Sequence, residues 1–157
     1  MTAFLSTYLN KVDRKGRVSV PAAYRGTLAG DGFQGIIAYP SMTEPAIEAF
    51  GRDLLEQMSR RRTDQSIEGG EFERLLLGGG DDGLVETIMA LVRELPFDGE
   101  GRVILPPPLT DHAGITDHAM FVGRGNRFQI WEPDAFEAHQ ARALDRLRDR
   151  LGREGAT

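Results

Sequence analysis

The chain has 157 residues, 40% of them hydrophobic, no cysteine, and a net charge of -5. This is enough for one compact domain or two small halves sharing a core, and the missing cysteine excludes disulfides, thiolate zinc sites and cysteine nucleophiles. No apolar run approaches a membrane span, and MTAFLSTYLN lacks the basic start and apolar centre of a signal peptide, so a cytoplasmic protein is expected.

The charge is unevenly spread. Residues 1–25 carry Lys11, Arg14, Lys15, Arg17 and Arg25 against Asp13 alone, a net +4, which leaves -9 for the remainder. Local positive potential of this kind is what a polyanionic partner requires.

In chain order, VDRKGRVSVP at 12–21 reads as the closing part of a hairpin: a strand over 8–12, a turn over 13–16 and a second strand over 17–20. Gly16 supplies the positive φ of such a turn, Asp13 bonds backbone N–H groups inside it, and Arg17 emerges just past it. Pro21 ends the strand and opens a helix over 22–28; a return strand follows at 35–39, then a loop marked by Pro40 and Pro45. From residue 46 to 77 apolar residues recur at roughly helical intervals (Ile47, Phe50, Leu54, Leu55, Met58, then Phe72, Leu75, Leu76), which predicts helices there, with a further helix over 84–92.

FDGEGRVILP at 97–106 then repeats the opening motif at an offset of 85 residues, Asp98, Gly101 and Arg102 standing where Asp13, Gly16 and Arg17 stand. A short helix closing near Gly114, strands over 120–122 and 127–131 around a GRGN turn, and an amphipathic tail helix over 133–151 complete the second unit. That tail carries Phe136, Ala143, Leu144, Leu147 and Leu151 on one face, expected to pack on its own barrel or on another subunit. The chain is a tandem duplication of a strand, turn, strand, helix, strand unit. Its boundaries are 1–77 for the N-terminal half with a helical extension, 78–96 for a connection, and 97–157 for the C-terminal half with its tail.

Three cations on a rigid hairpin tip suit phosphates, and a projecting arginine reaches both acceptors of a guanine edge in the major groove. The second loop is weaker in this respect, since Asp98, Glu100 and Arg102 sum to -1. GGGDDG at 78–83 formally satisfies G-x-G-x-x-G, yet it follows EFERLLL, which reads as a helix end, and it places Asp81 and Asp82 where a pyrophosphate would lie. TDHA occurs at 110–113 and 116–119, but His112 and His118 are six residues apart, do not share a helix face and are split by Gly114, so a polar helix end is expected rather than a metal site. His139 lies in the tail helix with no partner suggested by the sequence. The Arg60, Arg61, Arg62 run reads as a solvated helix face or a loop between helices, because consecutive helical residues point in different directions. No catalytic residue, metal or cofactor is expected, nor a membrane or a small-molecule substrate.

FLSTYLNKVDRKGRVSVPAAYR at 4–25, RLLLG at 74–78, DGEGRVILPPPL at 98–109, HAGI at 112–115 and FVGRGNRFQIWEP at 121–133 span both halves. With these residues the chain resembles the MraZ family of bacterial transcriptional regulators. The resemblance implies an α+β fold, a tandem pseudo-symmetric AbrB-like swapped-hairpin β-barrel with peripheral helices, its two halves interlocked. It also implies ring-shaped homo-oligomers, commonly octamers, which bind short G-rich direct repeats in double-stranded DNA and repress the protein's own operon of division and cell-wall genes, at the nucleoid. In such proteins the D-x-x-x-R motif carries DNA recognition, here Asp13 and Arg17 with Arg14 and Lys15 in the same loop, and Asp98 and Arg102 in the second; Gly16, Gly101 and Asp98 shape the turns. Segments 42–49 and 79–90 look longer than the family pattern and are expected between the core elements. The alternative is a structural or protein-binding ring whose hairpins contact a protein instead of DNA.

Overall fold

The computed structural model describes residues 3–30, 32–63 and 82–155. RLLLG at 74–78, the expected helical positions Phe72, Leu75 and Leu76, and residues 78–81 of GGGDDG lie outside the described residues. The elements run β1 (Thr7–Lys11), β2 (Arg17–Ser19), α1 (Ala22–Leu28), β3 (Gly35–Pro40), β4 (Ala46–Phe50), α2 (Arg52–Thr63), α3 (Asp82–Leu91), β5 (Arg93–Pro96), β6 (Arg102–Ile104), α4 (Pro107–Ala113), β7 (His118–Gly123), β8 (Phe128–Trp131) and α5 (Pro133–Gly155). This is a mixed α+β fold. Its strands form a six-stranded antiparallel sheet, in the order β1-β7-β8-β4-β3-β5, and a separate two-stranded ladder, β2-β6.

The halves exchange strands. β1 pairs with β7 of the second half, and its counterpart β5 pairs with β3 of the first. The expected local hairpin is therefore corrected: β1 and β2 form no ladder with each other beyond the Val12·Val18 bridge, and each finds its ladder partner in the other half. Two pairings sit at the centre of this exchange. Val18 opposes its own repeat mate Val103, so a pseudo-two-fold axis relating the halves passes through this pair, and Ile47 opposes Ile130 where β4 meets β8 of the other half. All four side chains are at most 1% exposed, and each contributes on the order of 1.5–3 kcal/mol of burial.

One core lies under the ladder, formed among others by Phe4, Val18, Val20, Tyr24, Leu28, Ile36, Val103, Leu105, Phe121 and Phe128. Tyr24 anchors α1 in it, edge-on to Phe4 and Tyr8, its hydroxyl donating to the Ser6 carbonyl at 2.7 Å. Burial pushes that phenol's pKa up. Across the central β4·β8 pair, Gln129 Nε2 and Arg127 Nε donate to the two oxygens of buried Glu48, at 2.8 and 2.9 Å, which satisfies a carboxylate that would otherwise be costly to bury.

Several further expectations are corrected. Residues 46–50 form a strand and not the start of a helix; all five are buried, with Ile47 and Ala49 in the main core, Phe50 in a second cluster and Ala46 in a third. A strand covered on both faces loses its alternation, so its apolar residues imitate a helical spacing. Of the stretch 42–49, residues 46–49 belong to β4, while 42–45 form the loop between β3 and β4. Pro40 lies within β3, opposite Ile47, and not in a loop. Residues 93–96, for which no strand is expected, form the edge strand β5. The strands do not close into a barrel among the described residues: β1 and β5 remain edges of the sheet, and the three-residue strands β2 and β6 are stopped by Pro21 and Pro106. The tail helix packs only at its start, Phe136 against Trp131, while Leu144, Leu147 and Leu151 are 39–56% exposed.

Candidate nucleic-acid interface

The 13–17 loop is closed by its own aspartate. Asp13 Oδ1 accepts the backbone N–H groups of Lys15 and Arg17, both at 2.9 Å, and Oδ2 accepts Arg17 Nε at 2.7 Å. Two backbone bonds complete the ring, Asp13 N–H to the Arg17 carbonyl and Gly16 N–H to the Asp13 carbonyl, each 3.0 Å. Gly16 meets this geometry at φ 82°, where a side chain would be strained. The Arg17 backbone N–H, with the Arg17 side chain and the Lys15 N–H adding to it, holds the Asp13 carboxyl below its ordinary pKa.

The 98–102 loop repeats the device. Asp98 Oδ1 accepts from Glu100 N–H at 2.8 Å and Arg102 N–H at 3.0 Å, Oδ2 accepts Arg102 Nε at 2.8 Å, and Gly101 has φ 76°. Here too the backbone N–H of the arginine is foremost in lowering the aspartate's pKa, and the side-chain bond to Asp98 raises that of Arg102.

The ladder sets both loops on one surface. Its register opposes Arg17 with Ile104 and Ser19 with Arg102, while Val18 and Val103 point into the core. Alternation along each strand therefore puts Arg17, Ser19, Arg102 and Ile104 on a single outward face, with the two arginines at diagonal positions roughly 7–8 Å apart. The ends are tied across halves as well: Leu105 N–H donates to the Gly16 carbonyl at 2.9 Å, and Val20 N–H to the Gly101 carbonyl at 3.1 Å.

Electrostatically the loops differ. Arg14 and Lys15 are exposed and make no ion pair among the described residues, and the Arg17 terminal amines have no partner there either. Arg102 is held a second time, its Nη2 lying 3.4 Å from Glu100 Oε2. Arg25, from α1 of the first half, lies against the second loop, bonded through Nε to the Val20 carbonyl at 3.0 Å; a Cβ at Gly101 would come within 2.8 Å of its guanidinium. The sequence groups Arg25 with the opening cations; the fold carries it to the other loop. Ser19 and Ile104 are the face residues that sequence reasoning missed. Strand alternation puts each beside its arginine, but only the β2·β6 pairing brings all four together.

The other candidates disperse. His112 Nε2 is 3.1 Å from the Glu44 carbonyl oxygen, whereas His118 is in β7 opposite Lys11. His139 has partners after all: its Nε2 is 3.1 Å from Glu44 Oε2, and its ring packs at a tilt against Trp131 with centroids 4.7 Å apart. Arg60 is exposed, 4.0 Å from Glu56, and the side chains of Arg61 and Arg62 are outside the described residues. Of GGGDDG only Asp82 and Gly83 are described, in the first turn of α3.

Comparison with known proteins adds two findings. Residues 90–151 match the family model described as "MraZ protein, putative antitoxin-like". A protein of Rickettsia akari (strain Hartford), named "Transcriptional regulator MraZ", is 46% identical over 142 residues, covering 88% of this chain and 87% of the relative. A protein of the same name from Rickettsia bellii (strain OSU 85-389) is 44% identical over 144 residues, 91% of this chain and 90% of the relative.

Proposed function

The chain belongs to the MraZ family, and from that premise we propose that it is a sequence-specific DNA-binding transcriptional regulator that represses its own operon. The observation that carries the reading is the outward face of the β2·β6 ladder, where two arginines are each braced by an aspartate four residues earlier. An Nε held by a carboxylate fixes the guanidinium plane and leaves the terminal amines to meet an acceptor pair such as guanine O6 and N7. In this reading Arg17 reads a base edge, Arg14 and Lys15 hold phosphates, Asp13 aims Arg17, and Arg102 plays the corresponding part in the second loop with less free charge.

The pairing of β1 with β7 and of β5 with β3 supports a swapped-hairpin reading in which units 1–77 and 97–157 interlock, with 78–96 as the connection that ends in β5. An acidic protein reaches useful affinity by repetition: a homo-oligomeric ring, of eight subunits by family resemblance, presents one cationic loop per subunit to an array of direct repeats and raises the effective concentration of each next contact. The protein acts at the nucleoid, with no cofactor.

Fluorescence anisotropy with DNA upstream of the protein's own gene, against a scrambled duplex, tests this. Selective binding that falls steeply with salt, about 0.9 in log-log slope per phosphate contact, and that is weakened in Arg17→Ala is the expected result. Equal affinity for both duplexes, or full binding by Arg17→Ala, sinks the reading and favours a ring whose loops contact protein.

A further inference from the structure

We propose that Ile104 is a base-reading residue, packing on a thymine methyl group beside the base that Arg17 contacts. The inference rests on the DNA-reading function above. Ile104 is 58% exposed, on the surface that bears both arginines and directly opposite Arg17. Its Cγ2 is 3.9 Å from where a Cβ on Gly16 would stand, so it sits at the foot of the first loop although the second half supplies it.

An exposed isoleucine in a strand is ordinary on propensity alone, but the pseudo-symmetric position is Ser19, so the ladder does not need an apolar side chain there. A two-stranded antiparallel ladder is an element that the major groove admits, and the thymine C5 methyl is the apolar group displayed on that groove's floor. Beside Arg17, which is matched to guanine, Ile104 therefore selects a neighbouring thymine. Beside Arg102, the hydroxyl of Ser19 accepts either base and selects none. The first loop reads two adjacent base pairs and the second reads one, so the half-sites of an operator are unequal.

The test uses the upstream duplex in two forms, natural and with every thymine replaced by uracil, which removes the methyl and preserves pairing. Wild-type protein binds the uracil form about three- to tenfold more weakly. Ile104→Ser binds the natural form as weakly as the wild type binds uracil DNA, and it does not distinguish the two. Indifference of the wild type to uracil overturns the proposal, as does an undiminished uracil penalty in Ile104→Ser, which would assign that penalty to DNA shape. Thermal melting and light scattering accompany both proteins; a lower assembly mass for Ile104→Ser makes the residue a subunit contact and also overturns it. Loss of the preference for upstream over scrambled DNA in the wild type is a different failure, that of the DNA-reading function itself.

Discussion

Loops 13–17 and 98–102 close with the same bonds between corresponding atoms, yet the first sums to +2 and the second to -1. Duplication preserved the brace, in which an aspartate caps two backbone N–H groups and orients an arginine, while the positions between Asp and Gly changed from Arg14 and Lys15 to Gly99 and Glu100. The turn's shape depends on Asp, Gly and the backbone, whereas its affinity for a polyanion depends on the side chains that point away. Geometry and charge are thus separable in this element, and the pseudo-two-fold axis places the two versions side by side on one face.

Removing each arginine in turn separates the loops most clearly. Arg17→Ala weakens binding to the upstream duplex about ten- to a hundredfold, whereas Arg102→Ala, already engaged by Glu100, costs only a few-fold. Equal losses in anisotropy would show that the loops share the work equally. Next in size, valine at either turn glycine is strained by the positive φ and costs about 1–2 kcal/mol of stability in thermal melting. Gly16→Val is the worse of the two, because its Cβ meets the Leu105 carbonyl oxygen at 3.1 Å; at Gly101 the obstacle is the Arg25 side chain, which can swing away.

A smaller change makes the second loop resemble the first. Glu100→Lys removes the contact that holds Arg102 and turns the loop from -1 to +1, raising affinity roughly threefold to tenfold at low salt and steepening the salt slope by about one. The smallest effect is that of pH. Asp13 and Asp98 are both held below the ordinary value of 3.8, so the ordering they give the loops is complete above that value and is lost only as pH falls through their lower folded values. The braces therefore leave DNA affinity unchanged between about pH 5 and 8, and a loss of binding within that window by anisotropy would place a titrating group elsewhere in the interface.

Much of the candidate site is legible in the chain itself. The repeat, the turn chemistry of Asp13 and Gly16, and the display of Arg17 are written within five residues, because the bonds that make them span at most four positions along the chain. Helices opened by Pro21 and Pro106 are equally local. Strand 46–50 is hidden, since burial on both faces, by the shared core around Ile47 and Ala49 and by α2 and α3 around Phe50, erases the alternation that marks a strand. Local patterning leaves the exchange of β1 and β5 undetermined, along with the presence of Ile104 at the first loop and of Arg25 at the second. What each turn is made of, and how it folds on itself, follows from a few consecutive residues. Which half's residues surround it follows from the tertiary packing alone, because a strand's hydrogen bonds are met by whichever segment lies alongside, here 83 to 115 residues away.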